Sequence, residues 1–288
     1  MWSTTHTGSC TRMNTALSAT STGRQGKRRR ASSSMTRTLL IDADVVAYVA
    51  ASSLEVATDW GDGYWTWHVD EFEVQKKVKQ IIDDTMEDLK GDSCKLCLTD
   101  SFGNFRKSVL ATYKGNRSNI KKPLVLMKTK QWMIDELGAY FRPGLEGDDC
   151  MGILATMKGT DERIIVSIDK DMKTVPGKFC RYTDSKAKII EYSEKEADYW
   201  HLYQTLMGDA TDGYPGCPGI GPKRAEAILG PIDEFDLTEG WARVLAAFEK
   251  AKLTETDALT QARVARILRA SDYDFKKKEP ILWQPKAN

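Results

Sequence analysis

Leu39-Leu40-Ile41-Asp42 reads as a short apolar strand closed by a carboxylate, and the pattern returns twice, in Cys97-Leu98-Thr99-Asp100 and Val166-Ser167-Ile168-Asp169. In an open parallel sheet the carboxyl ends of the strands share one edge, and ligands bind there. Three acids from distant parts of the chain are therefore expected on that edge. Helical stretches separate these strands. Asp70 and Glu73 have capping-box spacing ahead of a helix over about 70–90, with Val74, Val78, Ile81, Ile82 and Leu89 on one face and Gly91 as its stop. Another helix is expected over 123–137, opened by Pro123 and ended by Gly138, and one begins at Asp148. Two hairpins are expected: one over 59–69, with Trp60, Trp65 and Trp67 around Asp62-Gly63, and one near 178–192. Ser193 and Glu196 cap a helix that runs to Met207. Such alternation specifies an α/β domain, a mainly parallel central sheet with helices on both faces. From about 193 the pattern stays helical, including one helix over 244–268.

Composition narrows the class. The 288 residues are 41% hydrophobic and 29% charged, ordinary for a globular protein. No apolar run approaches the roughly 18 residues that a membrane span needs. Six cysteines are too few for a disulfide scaffold, and no signal peptide opens the chain, so a reducing cytosolic setting is expected. Residues 1–34 are rich in Ser, Thr, Gly and Arg without any period, and read as a disordered basic tail, an upstream extension with Met35 the natural start. Residues 1–41 carry seven basic side chains and no acid, which leaves 35 basic against 41 acidic residues, a net of −6, over 42–288. A body of that charge meets a polyanion only through local basic patches or bound cations.

The remaining acids reinforce the strand-end set. Glu146, Asp148 and Asp149 sit at a helix start, Asp171 follows Asp169, and Asp209 and Asp212 lie in a glycine-bounded loop. So many carboxylates in one place repel unless cations neutralise them. Oxygen donors without a histidine cluster suit Mg²⁺ or Mn²⁺ rather than Zn²⁺. Two such ions about 4 Å apart clamp a scissile phosphate and activate a water. As helix caps, Asp148 and Asp149 are individually explained; the three strand-end acids are not.

Gly216-Cys217-Pro218-Gly219-Ile220-Gly221-Pro222-Lys223-Arg224 is the most specific local pattern. Its glycines permit a tight turn, and Pro222 suits the first turn of a helix. The exposed amides at that helix start, with Lys223 and Arg224, make a site for backbone phosphate. A basic segment holding Arg106, Lys107, Lys114, Arg117, Lys121 and Lys122, with Phe102, Phe105 and Tyr113 among them, reads as a clamp for single strands by charge and stacking.

The ordered set Asp42, Asp100, Glu146/Asp148/Asp149, Asp169/Asp171, Asp209/Asp212 and the Gly219-Ile220-Gly221 hairpin resembles that of flap endonuclease-type 5′→3′ nucleases, closest to the bacteriophage 5′→3′ exonuclease branch, over roughly 38–230. Tyr113-Lys114-Gly115-Asn116-Arg117 is similar to the motif at the foot of that family's helical arch. The resemblance implies a nuclease domain over 35–192 with its arch near 104–137, and a helical DNA-binding region over 193–288. The second region carries a helix-hairpin-helix (helix-three-turn-helix) motif near 208–229. The resemblance also implies one metal held by Asp42, Asp100, Glu146 and Asp148 and a second among Asp148, Asp169, Asp171 and Asp212, with Asp149 and Asp209 as outer partners. Lys114 and Arg117 would contact the scissile phosphate, Tyr113 would stack on the terminal base, and a K⁺ ion would sit at the hairpin. The implied activity is Mg²⁺-dependent removal of nucleotides from duplex 5′ ends, with flap cutting and RNA-primer removal from RNA–DNA hybrids as extensions. The implied protein is a monomer without a membrane, in the host cytoplasm if phage-encoded.

Two other classes compete. A non-catalytic DNA-binding module would keep the hairpin but gains nothing from an anionic edge facing a polyanion. A PIN-type ribonuclease shares sheet-edge acids but typically lacks the hairpin. Cys94 and Cys97 have redox or zinc spacing, yet they lie in a strand with only His6, His68 and His201 elsewhere, and read as ordinary strand cysteines. The Lys276-Lys277-Lys278 run reads as a solvated end.

Overall fold

The computed structural model describes residues 35–117, 121–181 and 188–285, so the expected tail 1–34 lies outside the described residues. The chain enters through β1 (Arg37–Asp42) and α1 (Ala43–Leu54), then makes the hairpin of β2 (Val56–Asp59) and β3 (Trp65–His68). After it come α2 (Glu71–Asp88), β4 (Ser93–Cys97), the single turn α3 (Arg106–Val109), α4 (Leu126–Leu137) and α5 (Gly147–Thr156). The sheet is completed by β5 (Glu162–Ser167), β6 (Gly177–Arg181) and β7 (Ile189–Tyr192), in the order β4-β1-β5-β6-β7. The first four strands are parallel, and β7 returns antiparallel on β6.

Alternation along the strands builds two layers. Leu39 and Ile41 of β1, with Ile164 and Val166 of β5, pack on one face with Val46, Val74, Val78 and Met133 from α1, α2 and α4. Leu40, Ile165 and Phe179 point the other way and pack on Cys150, Met151 and Ile153 of α5. Helices thus cover both faces. β1 lies between β4 and the central strand β5, so its last residue, Asp42, falls within the carboxyl edge rather than at its end. The described part of the expected arch near 104–137 consists of α3, a 3-10 turn over Gly115–Arg117 and α4.

Local signals mostly hold, with instructive exceptions. Asp70 caps α2 by accepting from the amides of Phe72 and Glu73, but Glu73 turns to Lys76 and gives no reciprocal bond. The left-handed turn after α2 is taken by Lys90 (φ +53°) rather than Gly91. β4 ends at Cys97 and β5 at Ser167, so Asp100 and Asp169 lie past the strands instead of closing them. Cys97 is buried on β4, and no disulfide joins the described cysteines.

The C-terminal part contains α6 (Glu194–Met207), α7 (Pro222–Leu229), α8 (Leu237–Lys250) and α9 (Glu255–Ala265), then a small hairpin of β8 (Tyr273–Asp274) and β9 (Glu279–Pro280). Ser193 and Glu196 cap α6 reciprocally, as expected. The single helix expected over 244–268 is two helices. Lys252 is left-handed (φ +62°), and Thr254 and Asp257 form a capping box that starts α9. These helices make their own core around Leu202, Leu206, Val244, Phe248 and Ala262, with Trp283 edge-on to Trp241 at 5.1 Å. Among the described residues, no helix is long and apolar enough to cross a membrane.

Between α6 and α7 the chain crosses itself. A Cβ on Gly208 would stand 2.4 Å from the Gly216 nitrogen, and one on Gly216 would stand 2.3 Å from the Gly208 nitrogen. Both have positive φ, +67° and +64°. Only glycine satisfies both demands. Gly216→Ala is therefore expected to destabilise the fold by more than about 1 kcal/mol in urea unfolding; a neutral effect would show that the crossing can open.

Candidate active site

At the carboxyl edge of the sheet lies an open cleft of about 460 Å³ lined by Asp42, Asp44, Lys114, Arg117, Lys130, Glu146, Asp148, Asp169 and Asp212, among others. Separate elements deliver these groups. Asp42 ends β1 and caps α1, accepting from the Val45 amide at 3.2 Å and from Ser167 Oγ at 2.7 Å. Asp169 follows β5 and accepts from the Asp171 amide at 2.8 Å, which starts the 3-10 turn Lys170–Thr174. Glu146 and Asp148 open α5, and Asp212 comes from the α6–α7 loop.

The acids repel one another. Burial and the neighbouring Asp44 push the Asp42 carboxyl up to about 6. Burial, then Asp169, Asp42 and Glu146, raise Asp148 well above the carboxylate range. Burial also raises Asp212, against the pull of Lys114 and Arg117. Glu146 goes the other way: burial pushes it up, but Arg106 and Lys114 outweigh that and hold it below its usual value.

Lys114 sits in the left-handed region at φ +53°, a conformation that costs a non-glycine residue about 1–3 kcal/mol and persists only where the surroundings impose it. Its amide donates to the Asp212 carbonyl at 2.7 Å, and its ammonium pairs with Glu146 and with Asp212 at 3.7 Å. Arg117 pairs with the same Asp212 and donates to the Thr211 carbonyl at 3.3 Å. Both cations expected at the scissile phosphate are thus inside the carboxylate cleft.

Several expected site residues are elsewhere. Arg106 was expected on DNA, but it is 2% exposed and spends its guanidinium inside the protein. It grips Asp149 with two bonds of 2.7 Å and donates to the carbonyls of Val264 and Arg266. Asp149 is correspondingly an anchor. It faces away from the cleft and also accepts from the amides of Glu146 and Leu268. Tyr113 cannot stack on a terminal base, because its ring is 2% exposed and packs on Tyr214 and Val264. Its hydroxyl instead donates to Glu146 at 2.9 Å and to Asp212 at 3.2 Å. Asp100 does not line the cleft, since the amides of Phe102 and Gly144 occupy its oxygens. Asp209 accepts from the amides of Thr211 and Asp212 and so shapes its own turn. Asp171 lies outside the lining, beside Asp169, and burial followed by that neighbour pushes it up to about 6.

Sequence reading missed Asp44, Lys130 and Ser167. Asp44 accepts from the Thr99 amide at 2.8 Å and pairs with Lys130, so it stands where Asp100 was expected. The Asp42-Ala43-Asp44 spacing at a strand-to-helix junction was its available signal.

The donor set fits hard cations. It consists of carboxylates only, several raised by burial and then by one another, and Asp171 Oδ1 is buried without a hydrogen-bond partner among the described residues. Among the described residues no three such donors are already arranged as a metal cage, and Lys114 and Arg117 pair with Glu146 and Asp212.

Lys223 and Arg224 are exposed on the first turn of α7. Arg224 donates to the Gly219 carbonyl at 2.7 Å, bracing the hairpin whose Gly221 precedes the helix. Beside them, a groove of about 760 Å³ between α7 and α8 is lined by Ile220, Ile228, Arg224, Arg243 and Lys250 with alanines and Pro218, and carries no acid.

Comparison with known proteins gives the class first: this is a nuclease, a phosphodiester hydrolase. The sequence model described as "5'-3' exonuclease, N-terminal resolvase-like domain" matches residues 37–199. The exonuclease of Escherichia phage T7 is 31% identical over 86% of this chain and 93% of its own length. The exodeoxyribonuclease of Enterobacteria phage T3 is likewise 31% identical, with the same coverage. Among solved structures, the phage T5 5′-exonuclease with bound zinc has the same fold, with a TM-score of 0.53 and 15% identity over 80% of this chain and 93% of that one. The chain belongs to the 5′-3′ exonuclease family.

Arg106→Met would leave Asp149 charged, buried and unpaired. Urea unfolding is expected to show a loss of about 3–5 kcal/mol. A loss below about 1 kcal/mol would mean that the pair is dispensable and that Glu146 and Asp148 are held by other contacts.

Proposed function

We propose that this protein removes nucleotides from the 5′ ends of duplex DNA, using divalent cations held among Asp42, Glu146, Asp148, Asp169 and Asp212, with Asp171 completing the set. One observation carries the reading: six carboxylates share a cleft with Lys114 and Arg117, the two cations that match a phosphate-contacting motif. The T7 and T3 relatives are named an exonuclease and an exodeoxyribonuclease, and T5 structures of this fold are described with zinc and, in a product complex of the flap endonuclease, with DNA and metal ions.

Bound Mg²⁺ or Mn²⁺ ions would supply an activated water and neutralise charge on the phosphate. The chain's own groups do the rest. An entering phosphodiester competes with Glu146 and Asp212 for Lys114 and Arg117, so both cations swing from carboxylate to phosphate. In that position they stabilise charge that develops as the bond breaks. Tyr113, through its bonds to Glu146 and Asp212, holds those acids apart while the cations move. Asp100, Asp149 and Asp209 act at one remove by fixing the loops. Lys223, Arg224 and the hairpin 216–221 grip the duplex backbone as a helix-hairpin-helix, with its carbonyls as the K⁺ site that the resemblance implies. Lys122, and flap or RNA–DNA substrates, belong to the same reading. The protein acts as a monomer.

Asp169→Asn tests the site, because it removes a ligand and an anionic repulsion together. Cleavage in saturating Mg²⁺ should disappear while duplex binding, read by fluorescence anisotropy, holds or tightens. Wild-type cleavage by the variant would remove Asp169 from the ion set. For the hairpin, Lys223→Ala with Arg224→Ala should lower the slope of log K against log salt by about 0.9 for each lost phosphate contact. An unchanged slope would make the hairpin a packing turn.

A further inference from the structure

The hairpin of β2 and β3 is the feature that the cleft does not use, and its aromatic side chains are bare. Trp60 is 71% exposed, Tyr64 73%, Trp65 48% and Trp67 41%. Trp65 and Trp67 share one face, with near-parallel rings (25°) and centroids 6.4 Å apart. Lys121 stands over the Trp67 ring, its ammonium 4.6 Å from the centroid. Trp60 is on the other face, where its indole N–H donates to Thr66 at 2.9 Å.

Helix α1 links the hairpin to the cleft. α1 begins at the carboxylates and ends at the hairpin, a distance of about 18 Å for its 12 residues. Tyr48 and Val49, on the middle of α1, line the cleft and are themselves exposed. Lys121 also pairs with Glu55, the residue after α1, and Leu124 donates its amide to the same carboxylate at 2.7 Å. Glu55, at the base of the hairpin, is therefore neutralised. Of the other hairpin acids, Asp59 is the cross-strand partner of Trp65 and is tied to the Gly61 amide, and Asp62 is in the turn. A polyanion is consequently favoured at the base of the hairpin and disfavoured at its tip.

We propose that single-stranded DNA leaves the cleft past Tyr48 and Val49 and stacks its bases on Trp65 and Trp67, displacing the Lys121 ammonium from the Trp67 ring so that it meets the backbone. Flat aromatic faces beside a cation bind single strands without reading sequence. This rests on the nuclease reading above and extends it to a second contact remote from the carboxylates.

The test uses the full chain in EDTA and a fluorescein-labelled oligothymidylate of about ten nucleotides. Anisotropy should show binding by the wild type, a loss of at least about tenfold in Trp65→Ala/Trp67→Ala, and retention within about threefold in Trp65→Phe/Trp67→Phe. Because the rings are exposed, the alanine variant should melt at the wild-type temperature, which separates lost stacking from lost folding. Equal binding by wild type and alanine variant would overturn the proposal, as would absence of wild-type binding. Concentration-dependent dimerisation abolished by the alanines, without oligothymidylate binding, would overturn it too and assign the face to a second copy of the chain. Digestion of a duplex by the wild type in Mg²⁺ is read in parallel. Its failure would sink the nuclease reading, whereas digestion without oligothymidylate binding would sink this inference alone.

Discussion

Mutual repulsion among Asp42, Glu146, Asp148, Asp169 and Asp212 is the constraint around which the rest of the molecule is organised. Two carboxylates about 4 Å apart repel by about 4 kcal/mol at an effective dielectric of about 20. Burial first, and then neighbouring carboxylates (Asp44 at Asp42, Asp169 at Asp148), raise the carboxyls of Asp42 and Asp148. A loop-built site would relax by moving the acids apart. Here Asp42 is fixed at the end of β1, an interior strand, and Glu146 and Asp148 at the start of a buried helix. The acids stay together, and the cleft keeps an affinity for positive charge. Lys114, Arg117 and Lys130 answer part of it from three places in the sequence.

A second set of charges holds the scaffold from behind. Arg106 joins Asp149, next to the cleft acid Asp148, to the carbonyls of Val264 and Arg266. The Leu268 amide donates to the same Asp149 at 3.0 Å. Arg269 donates to the Thr174 carbonyl at 3.0 Å, at the end of the turn that Asp169 starts, and pairs with Asp198 at 2.7 Å. The part of the chain beyond the family match at 37–199 thus reaches the back of the cleft at two points. The C-terminal helices are part of the scaffold of the cleft as well as neighbours of the hairpin over 216–221.

Much of this was legible from local pattern. The strand-end carboxylates announced the parallel sheet and its functional edge, and Ser193/Glu196 announced α6. What was not legible depends on distant partners. Arg106 and Tyr113 sit in a stretch whose composition reads as a solvated, DNA-facing clamp. Their burial is set by Asp149, Val264 and Tyr214, far along the chain. Asp100 looked like a strand-end acid because Leu98 and Thr99 extend the apolar run, yet β4 stops at Cys97 and Asp44 takes the expected place. The break between α8 and α9 carries neither glycine nor proline, and its mark was the capping pair Thr254 and Asp257.

The central claim, that carboxylate repulsion in this cleft is relieved by divalent cations, is tested most directly by thermal unfolding of the DNA-free protein titrated with Mn²⁺. A ligand that binds only the folded state raises stability by RT ln(1 + [L]/Kd). The melting temperature should climb with Mn²⁺ concentration in the wild type, and the climb should be much reduced in Asp148→Asn. A melting temperature indifferent to Mn²⁺, or an equal climb in both proteins, would contradict the account.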